Sequence, residues 1–214
     1  MKLFLFDFDG VIVDSLDVYE KTVTDCLKDI NQPLIRDREK FLELFEGNFY
    51  ESLINKGVDL DVFMKASEDI LARVKIKDMK PFPEVGPVIE ELHKNHCLIV
   101  VSSNDYASIK EALDFFNYDE YFKEILGSDF MFSKKEKILY AAKKYHVALD
   151  DIYYIGDTTG DIKEGKQAGI KTVGVTWGWH SKEKMAEAKP DYLFDTPQEL
   201  LQLNKDKYQV AIKY

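Results

Sequence analysis

Cysteine, long apolar runs and repeats are scarce in this sequence, and each scarcity disfavours a class of protein. The 214 residues include two cysteines, Cys26 and Cys97, which lie within apolar patterns and are expected to be buried thiols. A disulfide-stabilised secreted domain is thereby disfavoured, and reduced thiols fit a cytoplasmic protein. No stretch approaches the ~18 apolar residues of a membrane span. Asp7 and Asp9 interrupt the first apolar run too early for a signal peptide.

Positive charge is in deficit as well. Lysine and arginine total 29 against 39 aspartates and glutamates, which gives a net charge of −10. This balance argues against nucleic acid or an anionic membrane as a partner. A small anionic substrate is still compatible with it, because salt screens charges beyond ~8 Å and local charges then outweigh the net value.

What the sequence does contain is an alternation of strands and helices. A run of leucine and phenylalanine begins at Leu3 and stops at Gly10, which predicts a buried first strand. Beyond residue 81, short apolar runs alternate with helical spacing, a pattern typical of a doubly wound parallel α/β sheet. The later strands are predicted at 97–101, 125–127, 152–156, 172–175 and 192–194, and a last helix at 197–203.

Residues 15–80 break this alternation. They show helical spacing in several short pieces and no strand-like pattern, and Asp14 and Ser15 are expected to cap the first of these helices. We therefore predict a helical cap domain of residues 15–80, inserted into an α/β core domain of residues 1–14 and 81–214.

Polar residues gather where the predicted strands end, which is where ligands bind in an open parallel sheet. Asp7 and Asp9 are two residues apart and project to one face, and paired anions are costly unless a cation or a proton relieves them. A turn with solvated carboxylates is the alternative for each ending taken alone. The same edge of the sheet is expected to carry Ser102, Ser103, Lys134, Asp157 and Asp161.

This set of residues fits phosphoryl transfer through an aspartyl-phosphate. Asp7 is the candidate nucleophile, and Asp9 the candidate group that protonates the leaving oxygen and then activates water. Asp7 and Asp157 would offer oxygen ligands to Mg²⁺, and Asp161 would orient metal-bound water. Ser102 and backbone N–H groups would hold the phosphate, while a lysine would offset the negative charge.

The ordered motifs resemble those of the haloacid dehalogenase superfamily. They are Phe6-Asp7-Phe8-Asp9-Gly10-Val11, the apolar strand into Ser102, Lys134, and Gly156-Asp157-Thr158-Thr159-Gly160-Asp161. The segment 169–178 is also similar to that of phosphoglycolate-phosphatase-like and phosphoglucomutase-like members. The resemblance implies a Rossmann-like core, a helical cap, Mg²⁺ and a small phosphomonoester substrate. It implies Asp7 as nucleophile, Asp9 as acid and base and (through its backbone carbonyl) metal ligand, Ser102 and Lys134 as phosphate contacts, and Asp157 as metal ligand.

We therefore expect a Mg²⁺-dependent phosphatase acting on a small phosphorylated metabolite. A sugar phosphomutase with the same nucleophile is the alternative, and only its product separates it from a phosphatase. A non-catalytic phospho-aspartate switch is less favoured, because such domains carry the phosphorylated aspartate after the third strand and lack a large helical insertion. Asp9 argues against the dehalogenase branch, and Lys135 competes with Lys134 for the phosphate contact.

Several other residues have a structural interpretation beside a functional one. Ser103 and Asn104 stay open between phosphate contacts and helix caps, since both roles use the same residue types. The four histidines lack metal-ligand spacing and are expected to be surface or satisfied polar groups. Trp177 and Trp179 are expected to pack, residues 73–80 to form a solvated hinge, and residues 205–214 receive no assignment.

Overall fold

The computed structural model describes residues 1–71, 74 and 79–204. The predicted hinge at 73–80 lies mostly outside these residues, and the tail at 205–214 lies wholly outside them. The described strands are β1 (Leu3–Phe6), β2 (Val13–Asp14), β3 (Lys80–Pro81), β4 (Cys97–Val101), β5 (Glu124–Leu126), β6 (Ile152–Gly156), β7 (Lys171–Val175) and β8 (Tyr192–Phe194).

The described α-helices are α1 (Leu16–Asp29), α2 (Arg38–Leu42), α3 (Phe49–Asn55), α4 (Leu60–Leu71), α5 (Val85–His93), α6 (Tyr106–Phe116), α7 (Lys134–Tyr145), α8 (Thr159–Ala168) and α9 (Lys182–Glu187). Short 3-10 helices occupy Glu43–Phe45, Asp119–Tyr121, Leu149–Asp151 and Pro197–Asn204. None of these helices is long and apolar enough to cross a lipid bilayer.

The core is a parallel sheet, six-stranded over the described residues, in the order β5-β4-β1-β6-β7-β8. β1 lies between β4 and β6, and all of its residues are buried. Phe4 and Phe6 pack into one hydrophobic cluster, and Leu3 and Leu5 pack into another on the opposite face. Because helices cover both faces, every position of the strand is apolar. The predicted doubly wound α/β fold is confirmed.

The helices α1 to α4 are inserted between β2 and β3. These two short strands pair antiparallel, with Val13 opposite Pro81, and so form a two-stranded neck below the insertion. The inserted helices share a hydrophobic cluster that is separate from the two clusters of the sheet. Aromatic rings fill this cluster, and the rings of Phe45 and Phe49 stack with centroids 5.0 Å apart. The helical insertion is confirmed, whereas the domain boundaries at 14/15 and 80/81 stay a prediction.

Two local predictions can be compared with the structure. The last predicted helix is present as a 3-10 helix over Pro197–Asn204, and its buried Leu200 and Leu203 match the three residues per turn of that helix. The fifth strand ends at Leu126, one residue before its predicted end. Gly127 instead lies against the start of α6, where an added Cβ would be 2.7 Å from the Tyr106 nitrogen.

Candidate active site

Four side chains meet at the carboxyl edge of the sheet. Asp7 follows β1, Asp157 follows β6, Asp161 lies in the first turn of α8, and Lys134 begins α7. Carboxylate oxygens of the three aspartates lie within 4.8 Å of one another. Lys134 Nζ is 2.6 Å from Asp7 Oδ2 and 2.6 Å from Asp161 Oδ1. We call the three aspartates the acidic centre. They and Lys134 are all buried, so negative charge is concentrated where water screens it poorly.

One oxygen of the acidic centre has no hydrogen-bond partner among the described residues. Asp157 Oδ1 is buried and unbonded, while Asp157 Oδ2 accepts a hydrogen bond of 2.7 Å from the Trp179 N–H. A buried carboxylate oxygen without a donor costs free energy, and a bound cation removes that cost. Oxygen ligands of this kind are the donors that hard divalent cations take. The three aspartates therefore fit a site for such a cation.

Two glycines, which have no side chain, make room for Asp157. Gly10 has a φ of +75°, and a Cβ at this position would lie 2.0 Å from Asp157 Oδ2. A Cβ at Gly178 would lie 2.3 Å from the Asp157 Cβ. Gly10 is thus required both for its left-handed backbone and for the close approach of a strand end from elsewhere in the sheet.

The start of α8 holds Asp161 in place. Thr158 caps this helix, and Asp161 Oδ2 accepts hydrogen bonds from the Thr158 N–H at 3.0 Å and from Thr158 Oγ1 at 2.6 Å. The Tyr154 hydroxyl donates to Asp161 Oδ1 at 3.0 Å, beside Lys134. Both oxygens are therefore fixed by this reciprocal cap and its neighbours. The role of Asp161 in orienting metal-bound water stays a prediction.

The side chain of Asp9 does not belong to the acidic centre. Its Oδ1 accepts a hydrogen bond of 2.6 Å from Ser15 Oγ, and the Asn104 amide lies 3.5 Å from Oδ2. Ser15 does occupy the N-cap position of α1, yet its side chain makes no capping hydrogen bond. The prediction that the Ser15 side chain caps α1 is therefore wrong, because its hydroxyl donates to the buried Asp9 carboxylate instead. The metal role of Asp9, assigned to its backbone carbonyl, stays a prediction.

The loop after β4 brings two serines to the same small pocket as the Asp7–Asp9 pair. Ser102 Oγ accepts a hydrogen bond of 3.0 Å from the Asn104 N–H. The side chain of Asp105 caps α6, so the alternative in which Ser103 or Asn104 caps this helix is wrong. The phosphate-contact role predicted for Ser102 and Ser103 stays a prediction.

The three lysines at the start of α7 have different environments. Lys134 reaches the acidic centre, whereas Lys135 is half-buried and its backbone N–H donates to Glu164 at 3.3 Å. The geometry therefore selects Lys134 over Lys135 for the contact near Asp7. Lys137 is fully buried, and its Nζ donates to the Ser102 carbonyl at 2.6 Å. Lys137 is near enough in sequence to compete with Lys134, but no sequence pattern marks this lysine as buried.

Burial and charge shift the acidity of the carboxyl groups in this region. Burial raises the pKa of Asp7 to about 7, with Lys134 opposing the shift. Burial likewise raises the pKa of Asp9 to about 6, and its hydrogen bond from Ser15 opposes that shift. The pKa of Asp157 is raised well above its usual range by burial and by the neighbouring Asp161. The Lys134 ammonium and the Thr158 hydrogen bonds overcome burial at Asp161 and hold its pKa below the usual range.

The raised pKa of Asp9 predicts a pH-dependent stability. Burial takes this pKa from 3.8 to about 6, so the folded metal-free protein binds a proton that the unfolded chain has lost, and stability falls as pH rises through this range. Asn at this position is neutral at every pH. We compare the free energy of unfolding of Asp9→Asn with that of wild type. The variant is expected to gain up to about 3 kcal/mol relative to wild type between pH ~4 and pH ~8. Urea unfolding of metal-free protein measures the difference, and a gap between the two proteins that is constant with pH would contradict it.

The inserted helices cover this pocket. Tyr19 and Phe45 line the small pocket, and so does Trp179, whose ring also packs in the aromatic cluster of the insertion. His180 Nδ1 accepts a hydrogen bond of 3.0 Å from the Thr159 N–H, and its Nε2 donates to the Leu42 carbonyl at 3.1 Å. His180 is a satisfied polar group as expected, but the sequence did not reveal that it joins the insertion to the start of α8.

Comparison with known proteins identifies the family of this chain. The model of the haloacid dehalogenase-like hydrolases matches residues 4–175, which include all four motifs. The chain belongs to this family. The family resemblance and the prediction of an enzyme are both confirmed.

The relatives and solved structures agree with that assignment. The phosphoglycolate phosphatase of Synechococcus elongatus is 28% identical over 211 residues, which cover 94% of this chain and 96% of that protein. The phosphoglycolate phosphatase of Vibrio parahaemolyticus is 24% identical, with 95% and 96% covered. A crystal structure titled a predicted phosphatase from Clostridium acetobutylicum, 23% identical, has a TM-score of 0.81 and covers 94% of this chain and 96% of its own. The structural likeness establishes the common fold.

Proposed function

We propose that the chain is a Mg²⁺-dependent phosphatase that hydrolyses a small phosphomonoester through a phosphorylated Asp7. The observation that carries this proposal is the meeting of three buried aspartates and Lys134 at the end of β1. Relatives named phosphoglycolate phosphatase, at 24% to 28% identity over most of the chain, support a phosphate ester as the substrate.

Asp7, Asp157 and Asp161 are the residues that would hold the metal ion, on the strength of the unbonded Asp157 oxygen. When bound, Mg²⁺ supplies positive charge that offsets the carboxylates and the phosphoryl oxygens. Lys134 contributes a second positive charge beside the nucleophile, and it opposes the rise that burial causes in the Asp7 pKa. Ser102 and Ser103 would donate hydrogen bonds to phosphoryl oxygens in the same pocket.

Asp7 forms the covalent intermediate, and Asp9 transfers the protons. An Asp7 carboxylate oxygen attacks phosphorus as the bond from phosphorus to the ester oxygen breaks, and the leaving oxygen takes the proton of Asp9. Asp9 then accepts a proton from water as that water attacks the phosphoryl group, which releases phosphate and regenerates Asp7. A pKa of about 6 suits Asp9 to both steps, because its two protonation states are accessible near neutrality.

The reaction product tests this function. Wild-type protein with Mg²⁺ is incubated with a panel of phosphate esters that includes phosphoglycolate, and free phosphate is measured beside isomerised ester. We expect release of inorganic phosphate that stops when the metal is chelated. Isomerised sugar phosphate without free phosphate would identify a phosphomutase instead, and no turnover of any ester would favour the non-catalytic switch.

Metal binding is also expected to stabilise the fold. A cation that binds the folded acidic centre and not the unfolded chain adds about 2.7 kcal/mol when present at a hundred times its Kd. We therefore expect Mg²⁺ to raise the melting temperature of wild type at pH ~8, where more of the carboxyl groups are ionised. Asp157→Asn should lose most of this shift, because Asn cannot supply the charge. Asp105→Asn, at the cap of α6, is the control and should keep it.

An equal Mg²⁺-induced shift in melting temperature in Asp157→Asn and wild type would contradict the proposed metal site.

The cytoplasmic location, and the expectation that neither nucleic acid nor a membrane is a partner, stay predictions from the sequence.

A further inference from the structure

A cavity of about 570 Å³ opens beside the small pocket of the acidic centre. Its described walls come from α1, α3 and α4 of the insertion, from the loops after β4 and β5, and from α6. Tyr19 and Ser103 line both the cavity and the small pocket, so the two spaces adjoin. An ester whose phosphate lies beside Asp7 therefore has this larger space next to it for its alcohol part.

The volume of the cavity exceeds what a very small alcohol fills. At ~30 Å³ per water molecule it has room for about twenty waters. It also lies within the range of about 300 to 1,000 Å³ that is typical of sites for larger organic ligands. The short acid glycolate, the alcohol part of phosphoglycolate, would leave most of it empty.

The wall on the insertion side carries four aromatic rings. Tyr19, Phe49, Tyr50 and Phe63 all line the cavity. The Tyr50 hydroxyl donates to the Ser103 carbonyl at 2.6 Å, which fixes this ring at the junction of cavity and small pocket. Rigid aromatic walls favour a flat apolar group, because stacked or edge-to-face ring contacts add to the burial of apolar surface.

The charged residues of the described wall are acidic. Glu68 on α4 and Glu111 on α6 line the cavity, and neither forms a hydrogen bond or an ion pair with another described residue. Asp105 and Asp129 also line it, but both accept hydrogen bonds from backbone N–H groups of α6. An anionic group in this space would face two carboxylates that no cation among the described residues compensates, and would be repelled.

We infer that the alcohol part of the substrate is an uncharged group that carries a ring, and that carboxylated esters such as phosphoglycolate are rejected. The inference rests on the proposed function, since it describes the group that leaves from the phosphorylated Asp7. Tyr19 and Tyr50 contact the ring of this group. Glu68 and Glu111 select against negative charge on it.

Two esters with equally reactive leaving groups test the charge selection. Benzyl phosphate and para-carboxybenzyl phosphate have similar leaving oxygens and differ by one carboxylate at the far end of the ring. We expect kcat/KM of the wild type with Mg²⁺ to be about tenfold or more higher for benzyl phosphate. Benzyl phosphate is also expected to exceed phosphoglycolate. Equal values for the benzyl pair, or a preference for phosphoglycolate, would overturn the inference.

Charge reversal locates the selection in the cavity. Glu111→Lys and Glu68→Lys are each expected to reduce the preference for benzyl phosphate by about tenfold, mainly through a lower KM for the carboxylated ester. Both residues are exposed, so neither variant disturbs the core. Glu90→Lys, on the exposed face of α5, adds the same charge away from the cavity and should keep the wild-type ratio. Unchanged ratios in both cavity variants would overturn the inference.

The basic residues of the segment that lies outside the described residues are tested separately. Arg73, Lys75 and Lys77 are replaced together by Gln. We expect the ratio between the benzyl esters to stay within about twofold of wild type. A wild-type preference for phosphoglycolate that this variant abolishes would identify a carboxylate contact there and refute the inference.

Asp7→Asn separates the two levels of the account. If every ester is hydrolysed through Asp7 but the carboxylated ones are preferred, the proposed function stands and the inference about the alcohol fails. If hydrolysis continues in Asp7→Asn, the proposed function itself fails.

Discussion

Asp7→Asn is expected to lower kcat by about 10⁴-fold or more while leaving the fold intact. Asn keeps the size of the side chain and can still accept the hydrogen bond that Asp7 Oδ1 receives from the Phe8 N–H at 2.8 Å. It lacks the anionic oxygen that attacks phosphorus. The measurement is phosphate release under saturating ester and Mg²⁺, on protein whose melting temperature and circular dichroism are recorded in parallel.

The stability of this variant has its own expected direction. Burial raises the pKa of Asp7 to about 7, so an ionised Asp7 lowers the stability of the metal-free protein as pH rises through that value. A neutral Asn avoids this loss. Metal-free Asp7→Asn should therefore be at least as stable as wild type near pH ~8. The loss of activity then cannot be ascribed to unfolding.

Glu164→Gln is the matched control for Asp7→Asn. Glu164 is a buried carboxylate on α8 that accepts hydrogen bonds from Asn48 and from the Lys135 backbone, outside the acidic centre. The kcat of Glu164→Gln is expected to stay within about tenfold of the wild-type value. Equal losses in the two variants would show that any buried carboxylate of this region matters to the same degree, and would remove the reason to assign nucleophilic attack to Asp7.

The second large effect is expected from Lys134→Met. Among the described residues, Lys134 is the one cation that forms ion pairs with the acidic centre, at 2.6 Å from both Asp7 and Asp161. Removing one partner of a buried charge pair costs about 3 to 5 kcal/mol, because the remaining charge is left uncompensated. We expect a loss of this size in urea unfolding of the metal-free protein near neutral pH.

The same substitution is expected to lower kcat by about 10² to 10³-fold, because positive charge beside the transferred phosphoryl group is lost. The stability loss should shrink as pH falls toward ~5, since Asp7 and Asp157 become protonated and less repulsion remains. Lys135→Met is the control, since Lys135 is half-buried and contributes its backbone rather than its ammonium group. Equal effects of the two substitutions would contradict the assignment of Lys134.

The sequence predicted the parts of this site that follow from strand ends. An apolar run that stops at Asp7 and Asp9 marks the end of a buried strand, and the carboxyl ends of parallel strands lie at one edge of a sheet. Asp157 and Asp161 follow another such run. Lys134 could be proposed because it lies at the start of a predicted helix, although only the structure separates it from Lys135.

Other features had no local signal. Ser15 is of a residue type that is typical of helix caps. Its hydrogen bond to Asp9 depends on a turn of the chain that brings the two residues together. The burial of Lys137 depends on how α7 packs against the loop after β4. The pair of β2 and β3 joins segments of two residues, too short for any periodic pattern. Each of these depends on tertiary contacts that periodicity does not encode.

Trapping the phosphorylated intermediate shows whether a phosphoryl group passes through Asp7. Wild-type protein is mixed with a phosphate ester and Mg²⁺, quenched in acid within the first turnover, digested and analysed by mass spectrometry. We expect a peptide that contains Asp7 with the mass of one added phosphoryl group, absent from Asp7→Asn and from protein mixed without ester. A first turnover that releases phosphate with no phosphoryl group on that peptide, or with the group on another residue, would contradict it.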